Sequence, residues 1–149
     1  MATSRQADAT WSGDLLSGHG FVTASTTRVF ADLPTKWASR IGEPEGVTSP
    51  EELLAAAHAS CFSMACSNEL AKAGTPPERL TVNVSVSGDK LEAGWTVISS
   101  AITVRGVVPG ATPESFREAA EKAKDGCPIS RALKNNVQLS VEATLEGSS

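Results

Sequence analysis

The sequence has no long hydrophobic run, no basic cluster and few cysteines. No unbroken apolar run reaches the roughly 18 residues of a membrane span, and residues 1–9 lack the pattern of a secretory signal. A net charge of -4 without a basic patch argues against nucleic acid as a partner. Three cysteines, an odd number, do not indicate a disulfide framework. These absences predict a cytoplasmic protein that binds neither a membrane nor nucleic acid.

The length and patterning predict one α+β domain. A chain of 149 residues with 40% hydrophobic content suits a single domain over 1–149 with a real core. Strands and helices alternate in an order typical of mainly antiparallel sheets curled against helices. The predicted elements are strands at 7–11 and 20–25, a candidate third strand at 28–31, a loop at 33–48, a long helix, strands at 80–87 and 95–108 around a turn at 88–94, helices at 112–125 and up to about 134, and a strand at 137–145.

The segment 49–74 carries the strongest helix signal. Ser49 and Glu52 match the S-x-x-E capping box, and Gly74 suits the left-handed closing conformation. Residues 53–66 include no charged side chain and many small ones, which is typical of a buried helix. Because no other segment is a long apolar helix, the expected neighbour is the same helix of a second copy. The sequence therefore predicts a homodimer.

Cys61, inside this helix, is the first candidate for redox chemistry. Cys66 lies five residues later, about 140° around the helix, and is predicted to be a core residue. Burial raises a thiol's pKa, so a reactive Cys61 needs a nearby positive charge. His58, three residues earlier, is one candidate. Arg40, in the preceding loop, is the stronger one because a guanidinium is always charged.

The effect of such an arginine can be stated as an energy. A guanidinium that lowered the thiol pKa from about 8.5 to about 6 would supply about 3.4 kcal/mol of differential stabilisation. Glu51 is placed to orient Arg40 through a bidentate pair. Glu51 precedes Cys61 by ten residues, about 15 Å along a helix. Either the same subunit or its partner can therefore supply the carboxylate at a given thiol.

Cys127 is a second candidate nucleophile. It precedes a short helix with Pro128 at the first helical position, where unpaired backbone N–H groups stabilise a thiolate. Helix position alone favours Cys127 over Cys61, and the alternative interpretation is a buried structural cysteine at a turn. A disulfide between the two would need their Cα atoms within about 7 Å, which the sequence leaves open.

Two stretches, TSPEELLAAAHASCFSMA and KAKDGCPISRALK, together with the hairpin ATWSGDLLSGHG, resemble the OsmC/Ohr family of thiol-dependent hydroperoxide reductases. The resemblance covers nearly the whole chain. The position of Arg40 is more similar to the OsmC branch, because the Ohr branch would carry its arginine near the first hairpin turn, where this chain has Gly13 and Asp14. The resemblance implies an OsmC-like intertwined dimer with two long central helices and active sites at the interface.

The same resemblance implies a role for each candidate residue. Cys61 would be the peroxidatic thiolate and Cys127 the resolving one. Arg40, held by Glu51, would stabilise the thiolate and polarise the peroxide, with Arg28 as the alternative arginine. The Cys61 sulfenic acid would condense with Cys127 to a disulfide, which a dithiol such as a lipoyl protein would reduce. No cofactor and no metal are implied.

The implied function is that of an antioxidant peroxidase in an oxidative stress response. Apolar neighbours in the sequence, namely Phe62, Met64 and Trp37, favour organic hydroperoxides over hydrogen peroxide as the substrate. The preferred peroxide and the physiological reductant are left open.

Two other functions compete with this interpretation. His58, Cys61 and Cys127 would offer three soft ligands to a metal, although no C-x-x-C pair supports such a site. The second alternative is a redox-sensing or small-ligand-binding dimer without peroxidase turnover. The metal content of the purified protein tests the first alternative, and turnover of a hydroperoxide with a dithiol tests the second.

Overall fold

The computed structural model describes residues 1–147 and contains two compact units, residues 1–53 and residues from 54 onward. Each unit has one three-stranded sheet, and no helix in the described part of the chain is long and apolar enough to cross a membrane. The mixture of helices and strands confirms the predicted α+β class. The elements are β1 Asp8–Ser12, β2 His19–Thr23, β3 Leu33–Thr35, α1 Trp37–Ile41, α2 Pro50–Lys72, β4 Arg79–Leu91, β5 Gly94–Val107, α3 Pro113–Gly126, α4 Pro128–Leu133 and β6 Gln138–Leu145.

The first unit is built on the predicted N-terminal hairpin. Strands β1 and β2 pair antiparallel, and β3 pairs antiparallel with the other edge of β2. The predicted strand at 28–31 is wrong. Arg28 and Asp32 have positive φ angles of 56° and 54°, which are incompatible with an extended strand. The chain therefore turns at this point, and the third strand begins later, at Leu33.

The prediction of a plain loop over 33–48 is also wrong. The segment contains β3 and the short helix α1. Pro34 does not prevent strand formation because β3 lies at the edge of its sheet, where a missing N–H donor is tolerated. Helix α1 ends at Gly42, whose N–H donates to the carbonyl of Ala38 at 2.9 Å. Only the residues after Gly42 form the loop that the glycine and proline content of this segment predicts.

Helix α2 begins and ends as the sequence predicts. The N–H of Glu52 donates to Ser49 Oγ at 3.2 Å, which is the expected cap. The Glu52 carboxylate, in turn, accepts a hydrogen bond from the Thr48 hydroxyl at 2.6 Å. At the other end Gly74 has a φ of 87°, the left-handed conformation that glycine adopts without strain.

The second unit contains a sheet in the order β4-β5-β6. Strands β4 and β5 are antiparallel, whereas β5 and β6 are parallel because α3 and α4 connect them. The predicted turn at 88–94 is too long, since β4 continues to Leu91. Gly88 lies inside the strand at a register shift, and a Cβ there would come within 2.7 Å of the Trp95 ring. This glycine is therefore explained by a close packing contact.

The hydrophobic core of the second unit lies between α2, the sheet and α3. Helix α2 buries only one face within the single chain, because Met64 on its opposite face is 69% exposed. The fully or nearly fully buried apolar side chains are Phe62, Cys66 and Leu70 from α2, Ile102 and Val104 from β5, Val108, and Phe116, Ala119, Ala120 and Ala123 from α3, together with Cys127.

Candidate active site

Arg40 and Glu51 form an ion pair in the first unit. Arg40 lies in the last turn of α1 and Glu51 in the first turn of α2. The Arg40 Nε atom donates to Glu51 Oε1 at 2.6 Å and to Oε2 at 3.2 Å. Glu51 is only 8% exposed. The guanidinium also lies 5.7 Å from the centroid of the Trp37 ring, within the range of a cation–π interaction. The structure thus brings this predicted pair together.

The alternative arginine, Arg28, occupies a different environment. It is exposed and lies in the turn between β2 and β3, where its N–H donates to the carbonyl of Ala24 at 2.7 Å. Arg40, in contrast, borders a cleft of about 520 Å³ whose walls are mostly apolar and include Trp11 and Trp37. A single guanidinium beside an apolar wall suits an organic molecule with a polar end.

Cys61 and Cys127 meet in the second unit. Cys61 lies in α2 and Cys127 precedes α4, and the two thiols are close enough to shift each other's pKa. All three cysteines are free. Cys127 is fully buried, whereas Cys61 is half-buried and borders a groove of about 500 Å³ that Met64 and Arg131 also line. A solute in this groove therefore meets Cys61 before Cys127.

The position of Cys127 at a helix start agrees with the sequence analysis. The N–H of Ser130 donates to Cys127 Sγ at 3.5 Å and so caps α4. Burial opposes ionisation of this thiol, but hydrogen bonds from the Ser130 N–H, from the Cys61 thiol and from the Ser130 hydroxyl outweigh it. A further bond from the Ile129 N–H acts in the same direction. Together these donors hold the pKa of Cys127 below its ordinary value.

Cys61 has the opposite tendency. Burial raises the pKa of Cys61, and its interaction with Cys127 raises it further. A hydrogen bond from the Ile129 N–H and the charge of Arg131 act to lower it but do not overcome the burial. The expectation that Cys61 needs an outside positive charge to react therefore agrees with its environment. Arg131 is a cation near this thiol that the sequence analysis missed.

His58 does not supply that positive charge. Burial lowers the pKa of His58, so its ring is neutral at physiological pH. The ring nitrogens are hydrogen-bonded to serines, Nδ1 to Ser100 Oγ at 2.6 Å and Nε2 to Ser130 Oγ at 2.8 Å. Neither serine was singled out from the sequence. Ser130 follows Cys127 by three residues, the spacing of a cap and its partner, and that spacing was an available signal.

Two other expectations have clear outcomes. Cys66 is a core residue, as predicted, and burial raises the pKa of its thiol to about 11. Phe62, one of the apolar neighbours used to favour organic hydroperoxides, is fully buried in the core. It follows Cys61 by one residue, or 100° around the helix, and so points away from the groove. No group of three metal-ligating side chains occurs within residues 1–147.

The comparisons with known proteins agree with this fold. The OsmC-like protein family matches residues 42–142. Peroxiredoxin OsmC of Escherichia coli K12 is 38% identical over 139 residues, covering 93% of this chain and 96% of that protein. Organic hydroperoxide resistance protein OhrA of Bacillus subtilis is 28% identical over 127 residues, covering 83% of this chain and 86% of that protein.

Solved structures show the same fold. An organic hydroperoxide resistance protein from Elizabethkingia anophelis superimposes with a TM-score of 0.74 at 24% identity, over 98% of this chain and 100% of that chain. The protein OhrB of Bacillus subtilis superimposes with a TM-score of 0.72 at 24% identity, over 93% of this chain and 98% of that chain. The chain therefore belongs to the OsmC/Ohr family of OsmC-like proteins, and it is more similar to the OsmC branch.

Proposed function

We propose that this chain is a thiol-dependent peroxidase that reduces organic hydroperoxides, with Cys61 as the peroxidatic and Cys127 as the resolving cysteine. One observation carries the proposal: the half-buried thiol of Cys61 lies close enough to the fully buried thiol of Cys127 for each to shift the pKa of the other. Membership of the family, and relatives named as a peroxiredoxin and as organic hydroperoxide resistance proteins, support the class of substrate.

The proposed reaction has three steps. The thiolate sulfur of Cys61 attacks one peroxide oxygen, the O–O bond breaks, and the alkoxide takes a proton and leaves as an alcohol. The thiolate of Cys127 then attacks the sulfur of the Cys61 sulfenic acid. An S–S bond forms, the S–O bond breaks and hydroxide leaves as water after taking a proton. A dithiol finally reduces the disulfide by exchange and is itself oxidised.

The exposure of the two thiols supports this order of attack. Cys127 has the lower pKa, so ionisation alone would favour it as the first nucleophile. It is fully buried, however, while Cys61 borders an open groove. A hydroperoxide from solvent must reach the attacking sulfur before ionisation matters. A buried thiolate beside a newly formed sulfenic acid is well suited to the second step.

In the proposed mechanism Arg40 lowers the pKa of Cys61 and polarises the peroxide, and Glu51 positions Arg40. Two contacts support this assignment. Arg40 is held by a 2.6 Å hydrogen bond to the carboxylate of a buried glutamate, and the same guanidinium borders a mostly apolar cleft. The apolar walls favour organic hydroperoxides over hydrogen peroxide. Arg28 is the weaker candidate because it is exposed in a turn.

We further propose that the protein acts as a homodimer in the cytoplasm, with a dithiol such as a lipoyl protein as reductant. The exposed face of α2 supports the dimer, because small or apolar side chains recur there at helical spacing, including Ala56, Ser60 and Met64. We expect Met64→Glu to convert the dimer to a monomer in sedimentation experiments. Leu91→Glu, on an exposed strand end, is the matched control and should stay dimeric.

Cysteine variants test the proposed function. We expect Cys61→Ser to abolish hydroperoxide turnover with a dithiol. Cys127→Ser should still consume one equivalent of peroxide and stop as a sulfenic acid that dimedone labels. Cys66→Ser is the control that keeps both reactive thiols and should turn over normally. Full turnover by Cys61→Ser would contradict the proposal, and oxidation of the wild type without turnover would favour a redox sensor.

A further inference from the structure

A buried imidazole lies between two buried serines beside Cys127. His58, Ser100 and Ser130 each have 0% exposure. The ring contacts Ser100 Oγ through Nδ1 at 2.6 Å and Ser130 Oγ through Nε2 at 2.8 Å. Ser130 in turn contacts the Cys127 sulfur through its N–H at 3.5 Å, and its hydroxyl acts to lower the pKa of that thiol. One hydrogen-bonded series therefore joins β5, α2 and α4 and ends at a cysteine.

The tautomer of His58 decides where the Ser130 hydroxyl hydrogen goes. Burial keeps the ring neutral, so only one of its nitrogens carries a hydrogen. If the hydrogen is on Nδ1, Nε2 must accept the hydrogen of the Ser130 hydroxyl. That hydroxyl then has no hydrogen to donate to Cys127. With the hydrogen on Nε2, the ring donates to Ser130 Oγ, and Ser100 donates to Nδ1. Only in this second arrangement is the Ser130 hydroxyl free to donate to sulfur.

We propose that His58 is a positioning residue for Cys127: its Nε2–H donates to Ser130 Oγ and so directs the Ser130 hydroxyl hydrogen to the Cys127 thiolate. The inference rests on the proposed function, in which that thiolate attacks the Cys61 sulfenic acid. A thiolate is an acceptor only, so it selects the Nε2–H tautomer. The hydroxyl donor then keeps a larger fraction of Cys127 ionised at neutral pH.

Other groups around the cysteines must be separated from this effect. The cations along the groove in this unit are lysines and an arginine, side-chain types that ordinarily stay charged through the range in which a thiol of lowered pKa ionises. Cys61 is different, since it titrates and donates to Cys127. Substituting it by serine keeps a hydroxyl donor and removes its titration. The titratable or charged side chains beside the two cysteines or along their groove in this unit are Cys61, His58, Glu69, Lys72, Lys122 and Arg131.

The first test is a thiolate titration by absorbance at 240 nm in the Cys61→Ser background. Cys66 titrates separately there, because its pKa is raised to about 11. We expect Ser130→Ala to raise the pKa of Cys127 by about one unit, the effect of losing one hydrogen bond to an anion. Ser63→Ala, on an exposed part of α2, is the matched control and should leave it unchanged. An unchanged Cys127 titration in folded Ser130→Ala would overturn the proposal.

The kinetics of disulfide formation after one equivalent of hydroperoxide provide a second readout. A rise of about one pKa unit lowers the thiolate fraction about tenfold at low pH, while the more basic thiolate is about threefold more nucleophilic. We therefore expect Ser130→Ala to form the disulfide about threefold more slowly below the pKa and faster than wild type above it. A loss of rate that is the same at every pH would indicate a merely structural role and would overturn the proposal.

A third readout needs no substitution. The ¹⁵N chemical shifts of the His58 ring in the reduced wild-type protein identify its tautomer. We expect the Nε2–H form at a pH where Cys127 is a thiolate, and a dominant Nδ1–H form would overturn the proposal. The titration and the ring shifts require no peroxide. Failure of the proposed function, which Cys61→Ser tests through turnover, is therefore distinguishable from failure of this inference.

Discussion

Glu51→Gln is the substitution that best isolates the pairing of Arg40 with a carboxylate. The Glu51 side chain is 10% exposed and that of Arg40 is 31% exposed, so the pair is partly shielded from water. The attraction between the two charges of a partly shielded pair contributes about 1 kcal/mol, the upper end of the range for ion pairs near the surface. Glutamine keeps an acceptor for Arg40 Nε but loses the charge. We therefore expect a loss of about 1 kcal/mol of unfolding free energy from the pair itself.

The matched control is Glu52→Gln. Both glutamates lie in the first turn of α2, where a negative charge gains about 0.5 kcal/mol from the helix dipole. The Glu52 carboxylate is exposed, so water screens its charge, and a glutamine amide oxygen can still accept the hydrogen of the Thr48 hydroxyl. The expected losses are thus about 1.5 kcal/mol for Glu51→Gln and about 0.5 kcal/mol for Glu52→Gln, on the basis of the same ion-pair and dipole contributions.

Urea denaturation of the two variants and the wild type, monitored by tryptophan fluorescence, measures both values. Thermal unfolding should show an additional decrease of about 2–4 °C for Glu51→Gln relative to its control. The proposed role of Arg40 adds a kinetic expectation, since Glu51→Gln should slow formation of the Cys61 sulfenic acid and Glu52→Gln should not. Equal losses of stability in the two variants would refute the argument that the attraction between Arg40 and Glu51 stabilises the fold.

Two further predictions concern the core of the second unit. The pKa of Cys66 is raised to about 11, so the stability that this neutral thiol contributes is present below pH 9 and is lost between pH 9 and 11. The wild type should therefore lose about 2–3 kcal/mol more than Cys66→Ala across that window in urea denaturation, and parallel curves would contradict this. Gly106→Ala should destabilise by about 1–3 kcal/mol, because its Cβ would lie 2.7 Å from the Phe116 ring. Gly126→Ala, with no atom within 4 Å of its Cβ, is the control, and an equal stability of the two alanine variants would contradict the packing argument.

The elements with strong local signals could be predicted from the sequence. Helix α2 has a serine cap at one end and a left-handed glycine at the other, and both act over a few residues. The prediction of a strand at 28–31 failed because an alternating pattern of side chains does not reveal the positive φ of Arg28. The prediction of a turn starting at Gly88 also failed. That glycine is needed for close packing against Trp95, and β4 continues through it.

The candidate site shows the same division between local and long-range information. The environment of Cys127 was predictable, because Pro128 and the helix start lie next to it in the sequence. The pairing of Arg40 with Glu51, eleven residues apart, was proposed from the chemistry of the two side chains, and the resemblance to the family implied it as well. The contact between His58 and Ser100 joins residues 42 positions apart and depends on how α2 packs against β5. No periodicity or motif in the sequence encodes such a contact.

The central claim is that Cys61 and Cys127 form the redox-active pair. The most direct test is to add one equivalent of an organic hydroperoxide to the fully reduced protein, quench within seconds by alkylation, and map the disulfide by peptide mass spectrometry. We expect a Cys61–Cys127 disulfide in nearly all molecules, with Cys66 remaining free. A disulfide that includes Cys66 would contradict the assignment of Cys61 and Cys127 as the redox-active pair. The same holds if Cys61 and Cys127 both stay reduced after the peroxide is added.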